Sequence, residues 1–201
     1  MKSEFEQKTY RMIKSENWTE ESNCYAYALR RSDIGWVNPG CVARAFGANQ
    51  NIKLSDIFSA YSPPNHKEKT GEQHYLELLK KDGCTLLAGG IQDAGSDENV
   101  MFVALYKHNG RYDYHCYRHE GEGLWTSKSG IRPPETHGFH TENSIQDSAR
   151  HEGLTPLGFF KVPELPQKVT PEQSQTLKET IEELNKYYLI ERSQRAIAPF
   201  R

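Results

Sequence analysis

The segment Arg111-Tyr112-Asp113-Tyr114-His115-Cys116-Tyr117-Arg118-His119-Glu120-Gly121-Glu122-Gly123-Leu124-Trp125-Thr126-Ser127-Lys128-Ser129 decides the fold. Asn109-Gly110 in front of it is a strong two-residue hairpin signal. Arg111 to His119 therefore returns antiparallel to the apolar run from Asn99 to Tyr106. Gly121-Glu122-Gly123 then makes a three-residue hairpin loop, and Leu124 to Ser129 forms the next strand. Counting back from that loop pairs Glu120 with Leu124, His119 with Trp125, Tyr117 with Ser127 and His115 with Ser129. Directly opposed residues share a face of the sheet, with side chains ~5 Å apart.

Working outward, Cys84 to Ala88 and Leu157 to Val162 read as further strands. Gly89 to Asp97 is a loop, and the polar, His-rich stretch from Arg132 to Gly153 reads as a long surface loop. Upstream the pattern is helical. Ser22 is placed to cap a helix from Asn23 to about Arg31, with Cys24 in its first turn. Gly35 and Asn38-Pro39-Gly40 end that unit. A second helix is expected from Leu54 to Tyr61, stopped by Ser62-Pro63-Pro64-Asn65. A third runs from Gly71 to Lys81 with Tyr75, Leu76 and Leu79 inward and Gly83 as its C-cap. Thr170-Pro171-Glu172-Gln173 opens a C-terminal helix with an N-cap, a first-position proline and a capping-box glutamine. Leu177, Ile181, Leu184 and Tyr188 are its apolar stripe, and a loose tail is expected from Ser193. Helices followed by an antiparallel sheet are an α+β arrangement. Residues 1–165 are expected to form the main domain, and 166–201 a C-terminal helix and tail appended to it.

Composition excludes several classes. The 201 residues suit one domain with a genuine core, and 11 Tyr, 8 Phe and 3 Trp argue against disorder. A net charge of −2 leaves no electrostatic footprint for nucleic acid. No apolar run approaches the ~20 residues of a membrane span, and the N-terminal residues lack the apolar core of a secretory signal. Cys24, Cys41, Cys84 and Cys116 show no CxxC spacing, so reduced thiols in a cytosol-like compartment are expected. A secretion route that reads a C-terminal or unstructured signal would leave no trace in this composition.

The chemistry-bearing residues are Cys24, His115 and Ser129. A thiol at a helix start gains thiolate character from the partial positive charge there. A distant imidazole takes its proton, and a third group fixes the ring. Ser129 is preferred for that third role because it approaches His115 from the facing strand. Asp113 and Ser127 are its rivals. Asp113 lies two residues along the same strand, ~6.6 Å away at Cα, where side chains run parallel instead of converging. The alternative is a binding domain without catalysis, in which Cys24 is a small core residue and His115 a structural one.

The order Cys on an early helix, His on a strand and a polar residue on the next strand resembles papain-like cysteine peptidases. Trp125-Thr126-Ser127-Lys128-Ser129 resembles the Trp-x-x-Lys-Asn stretch of that clan, with Ser129 at the position of the orienting Asn. The run Asn23-Cys24-Tyr25-Ala26-Tyr27-Ala28, with His115-Cys116-Tyr117-Arg118 and Trp125-x-x-Lys128-x-Gly130, is also similar to Legionella-type, RavD-like effector deubiquitinases. The resemblance implies a papain-like fold, a thiol protease with a Cys24-His115-Ser129 triad, and a protein substrate such as ubiquitin chains. The papain signature Cys-Gly-Ser-Cys-Trp is absent, and Trp18 stands where a glutamine would supply the side-chain oxyanion donor. Asn17 or Asn23 is then expected to serve, beside the Cys24 N–H. The same triad would support glutamine deamidation or acyl transfer.

Other constellations weigh less. His137, His140 and His151, with Glu142 or Glu152, match no zinc spacing, and His115 and His119 lie four apart on a strand, not a helix. Cys116 should point to the face opposite His115 and sit in the core. Cys41 and Cys84 read as structural, Gly89-Gly90 is too sparse for a phosphate loop, and Trp36 and Tyr114 read as core or cleft-rim residues. No metal or cofactor is expected.

Overall fold

The computed structural model describes residues 22–46, 71–95, 98–108, 111–130, 132–166 and 169–197. The helix expected over Leu54–Tyr61, and the positions of Asn17 and Trp18, lie outside the described residues. Five α-helices are described: α1 (Cys24–Ala28), α2 (Cys41–Phe46), α3 (Gly71–Lys81), α4 (Glu142–His151) and α5 (Pro171–Ile197). Six strands accompany them: β1 (Thr85–Leu86), β2 (Val100–His108), β3 (Arg111–His119), β4 (Leu124–Ser127), β5 (Glu135–Phe139) and β6 (Thr155–Lys161). They form one sheet in the order β1-β6-β2-β3-β4-β5, antiparallel at every pairing. The chain is α+β, as the element order implies. No helix among the described residues is long and apolar enough to cross a membrane.

Both hairpins take the expected register. His108 faces Arg111 across the β2–β3 turn, and β3 then pairs with β4 through His119↔Trp125 and Tyr117↔Ser127. Glu120 N–H donates to the Leu124 carbonyl at 2.9 Å, closing the Gly121-Glu122-Gly123 loop. Gly123 adopts φ +78°, a left-handed conformation that glycine enters without a Cβ penalty. The ladder then stops: β4 ends at Ser127, and His115 has no β4 partner.

The sheet buries both faces. Met101, Val103, Leu105, Tyr114, Cys116 and Phe160 meet α1, α2, α3 and Leu177 of α5 in the larger core. Val100, Phe102, Ala104, Tyr117, Trp125 and Phe159 meet Ile145 and Ala149 of α4 in the smaller one. The stretch expected to be a surface loop thus holds an edge strand and a covering helix. Thr141 caps α4, accepting from Ser144 N–H at 3.3 Å, and Ile145 and Ala149, four apart, give it one apolar face.

Three helix boundaries differ from expectation. The N-cap of α1 is Asn23, not Ser22: its Oδ1 accepts from Ala26 N–H at 3.1 Å, and Cys24 becomes the first helical residue. The helix closes after Ala28 instead of Arg31, because Arg30 turns left-handed at φ +57°. The capping box of α5 forms as read, Gln173 N–H to Thr170 Oγ1 at 3.2 Å and Thr170 N–H to Gln173 Oε1 at 2.9 Å. That helix continues to Ile197, past the point where a loose tail was expected.

Asp82 ties the larger core together. Buried after α3, it accepts from Gly40 N–H and Ala43 N–H, each at 2.6 Å, and from the Tyr25 hydroxyl at 2.8 Å. Burial pushes its carboxyl up to about 7, against those hydrogen bonds. A carboxyl raised on folding favours the protonated fold, so its contribution is full below the unfolded value near 4 and is lost as pH rises through about 7. Urea unfolding of wild type should accordingly lose stability between pH 4 and 7 relative to Asp82→Asn. Parallel pH curves for the two proteins would contradict the shift.

Candidate active site

Cys24 begins α1, and α1 packs on β3. It sits against β3 where two consecutive residues, Cys116 and His115, both act on its thiol. Strand alternation sends those side chains to opposite faces, with Cys116 in the larger core and His115 beside Tyr117 of the smaller one. One atom can meet both only at a strand edge, and β3 has such an edge where its ladder with β4 has ended.

These contacts set the protonation states. The Cys24 thiol is drawn down to about 5, chiefly by the Cys116 side chain, with the His115 side chain and its charge adding to it and burial opposing. Burial first, then the Cys24 side chain and its charge, drives the Cys116 thiol up. His115 is lowered by burial, but the hydrogen bond and charge of Cys24 outweigh this, helped by Glu152 and Glu135, and leave it raised. The two shifts run in the directions that favour a thiolate beside an imidazolium. The helix N-terminus contributes little, since α1 is only five residues long.

The candidates for the third member are placed differently. Ser129 lies just past the end of β4, and its hydroxyl donates to Glu135 Oε1 at 3.5 Å. It is linked to His115 through Glu135, whose charge acts on that ring. Ser127 is buried, and its hydroxyl shares a hydrogen bond with His137 Nε2 at 2.7 Å. Asp113 accepts from the Tyr106 hydroxyl at 2.7 Å and from Tyr114 N–H at 2.8 Å. Asn23, one expected oxyanion donor, is committed elsewhere: its amide donates to the Val37 carbonyl at 2.6 Å while its oxygen caps α1. The Cys24 N–H remains as the backbone donor of that pair of expectations. Tyr114 belongs to the core, whereas Trp36 is 44% exposed and stands against Gly130.

Lys128 holds the two halves of the site together. Its side chain is wholly buried, and its ammonium donates to the carbonyls of Ser22, two residues before the nucleophile, and Gly130. Among the described residues no group of three or more His, Cys, Asp or Glu could hold a metal ion. Of the histidines weighed as ligands, His137 bonds Ser127, and His140 bonds Ser144 at 3.1 Å and the His137 carbonyl at 2.8 Å. His151 bonds the Asp147 carbonyl at 2.8 Å. Cys116 is the participant that sequence reasoning missed; only its adjacency to His115 signalled it.

Fold and site together define an α+β domain with Cys24 set against His115 and Cys116 of β3. The chain belongs to a family described as a domain of unknown function, DUF7689, whose model matches residues 13–146. That span includes Cys24, His115, Cys116, Ser127, Lys128 and Ser129. No curated protein matches the chain, and no solved structure does.

Proposed function

We propose that this protein is a papain-like cysteine hydrolase that cleaves a peptide or isopeptide bond. The observation that carries the reading is the placement of Cys24, first residue of a helix packed on β3, beside Cys116 and His115, with the thiol lowered and the imidazole raised by their interaction. The Cys24 thiolate attacks the substrate carbonyl, and the Cys24 N–H is placed to donate to the oxyanion. His115 gives its proton to the departing amine, leaving an acyl-thioester on Cys24. Water then loses a proton to His115 and attacks that ester, which releases the acid and restores the pair. Ser129 supports His115 through Glu135.

A protein substrate follows from the resemblance to effector deubiquitinases, and ubiquitin chains are the sharpest choice. Release of monoubiquitin from linear and lysine-linked diubiquitin should be abolished in Cys24→Ala. Cleavage by that variant at the wild-type rate would sink the nucleophile assignment. Glutamine deamidation or acyl transfer uses the same acyl-enzyme and differs in the group expelled or accepted. A ~1 Da mass gain on an intact protein substrate, without a cleaved product, would mark deamidation.

A further inference from the structure

A chain of contacts runs from His115 across the smaller core to the end of α4. The Tyr117 ring stands edge-on to the His115 ring, with centroids 4.8 Å apart and planes at 89°. On its other flank His137 lies 5.0 Å away at 70°. His137 is held by the 2.7 Å hydrogen bond to the buried Ser127 hydroxyl, and burial lowers it, so it is a neutral prop and not a second positive charge. The Tyr117 hydroxyl donates to Glu152 Oε2 at 3.2 Å. Glu152 is the residue after α4, with its backbone N–H on the Ser148 carbonyl, so its carboxylate is anchored to a helix packed on the sheet.

We propose that Tyr117 and Glu152 are the positioning residues of His115, doing from α4 what a third triad member does from a neighbouring strand. The inference rests on the hydrolase reading above. Tyr117 fixes the plane of the imidazole by its edge, and Glu152 fixes Tyr117 while placing a negative charge near the imidazolium. The groups facing His115 are Cys24 from α1, Glu135 and His137 from β5, Glu152 after α4, and Tyr117 on its own strand. Glu135 is engaged by the Ser129 hydroxyl and Glu152 by the Tyr117 hydroxyl. Of these two, only Glu152 is joined to a side chain that touches the His115 ring.

The test is the titration of the His115 ring, followed by NMR on the whole protein, beside the rate of Cys24 alkylation by iodoacetamide at pH 6. Glu152→Gln should move the His115 midpoint down by at least half a pH unit, roughly a threefold change in its protonation equilibrium. Tyr117→Phe keeps the ring against His115 but frees the carboxylate, and should shift the midpoint the same way by less. Alkylation at pH 6 should slow in both. An unmoved His115 midpoint in Glu152→Gln, with Cys24 still reactive at pH 6 in wild type, overturns the positioning role and leaves the hydrolase reading standing. A wild-type His115 that titrates like a free histidine, beside a Cys24 inert at pH 6, overturns both. Should Glu152→Gln fail to fold, an unmoved midpoint in Tyr117→Phe is the overturning result.

Discussion

Iodoacetamide will modify Cys24 at nearly equal rates at pH 6 and pH 8. The reactive form is the thiolate, and with the thiol drawn down to about 5 it is already the majority species at pH 6. An ordinary thiol slows by about 100-fold over the same interval, because its thiolate fraction falls tenfold for each pH unit below its pKa. Cys41 and Cys84, both pushed up to about 12 by burial, should be slower still. The sign follows from the direction of the shift: a lowered acid loses reactivity only as pH drops through its own value, here about 5. Cys116→Ala removes the largest stabilising contact and should slow alkylation at pH 6 at least ~10-fold. Cys116→Ser keeps a donor and should recover most of the loss. Peptide mapping by mass spectrometry after timed labelling reads all of these. Equal slowing in Cys116→Ala and Cys116→Ser would show that packing, not the hydrogen bond, sets the thiolate.

Replacing Lys128 by Met should destabilise the protein by about 2 kcal/mol and slow Cys24 alkylation as well. The stem of Met fills most of the lysine volume, so the change isolates the ammonium. Its loss strips a charged donor from the Ser22 and Gly130 carbonyls, and each buried acceptor left short costs on the order of 1–3 kcal/mol. Relief of the desolvation of a wholly buried ammonium offsets part of this, which keeps the net figure modest. Ser22 precedes Asn23, the cap of α1, so slackening there moves the nucleophile. Urea unfolding gives the first effect and labelling kinetics the second. Lost stability with unchanged labelling would mean that the Asn23 cap alone seats Cys24.

The parts of the fold that could be read from the sequence are those fixed by local chemistry. Gly121-Glu122-Gly123 set the β3–β4 register to the residue, and the register of β2 against β3 followed from Asn109-Gly110. Thr170 and Gln173 announced α5 because a capping box is a short-range device. The stretch holding β5 and α4 was missed because its polar residues lie on the outer layer, where hydrophobic periodicity is weakest. Thr141 with Ile145 and Ala149 was the signal available. Extrapolating the β4 ladder to Ser129 failed to foresee that Lys128 turns inward and takes the chain off the sheet. Alternation correctly sent Cys116 into the core, yet it could not show that the Cys24 sulfur would reach the strand edge between two faces. Glu152 was read only as a weak metal ligand, because its neighbour Tyr117 is 35 residues away in sequence.

That edge position has a bearing on the life of the chain before it is folded. The sulfur draws its acidity from β3 alone, while β3 holds its place only when helices cover one face of the sheet and α4 the other. A chain still emerging, or one opened by heat, carries cysteines of ordinary acidity with no imidazolium beside them. The lowered thiol is thus a property of the assembled sheet and not of the open chain. Its thiolate, once formed, repays the fold at neutral pH: a group whose acidity is strengthened on folding adds stability above its unfolded value and withdraws it as pH falls through the folded one. Reactivity and structural completeness are one property of this chain, measured by the same sulfur.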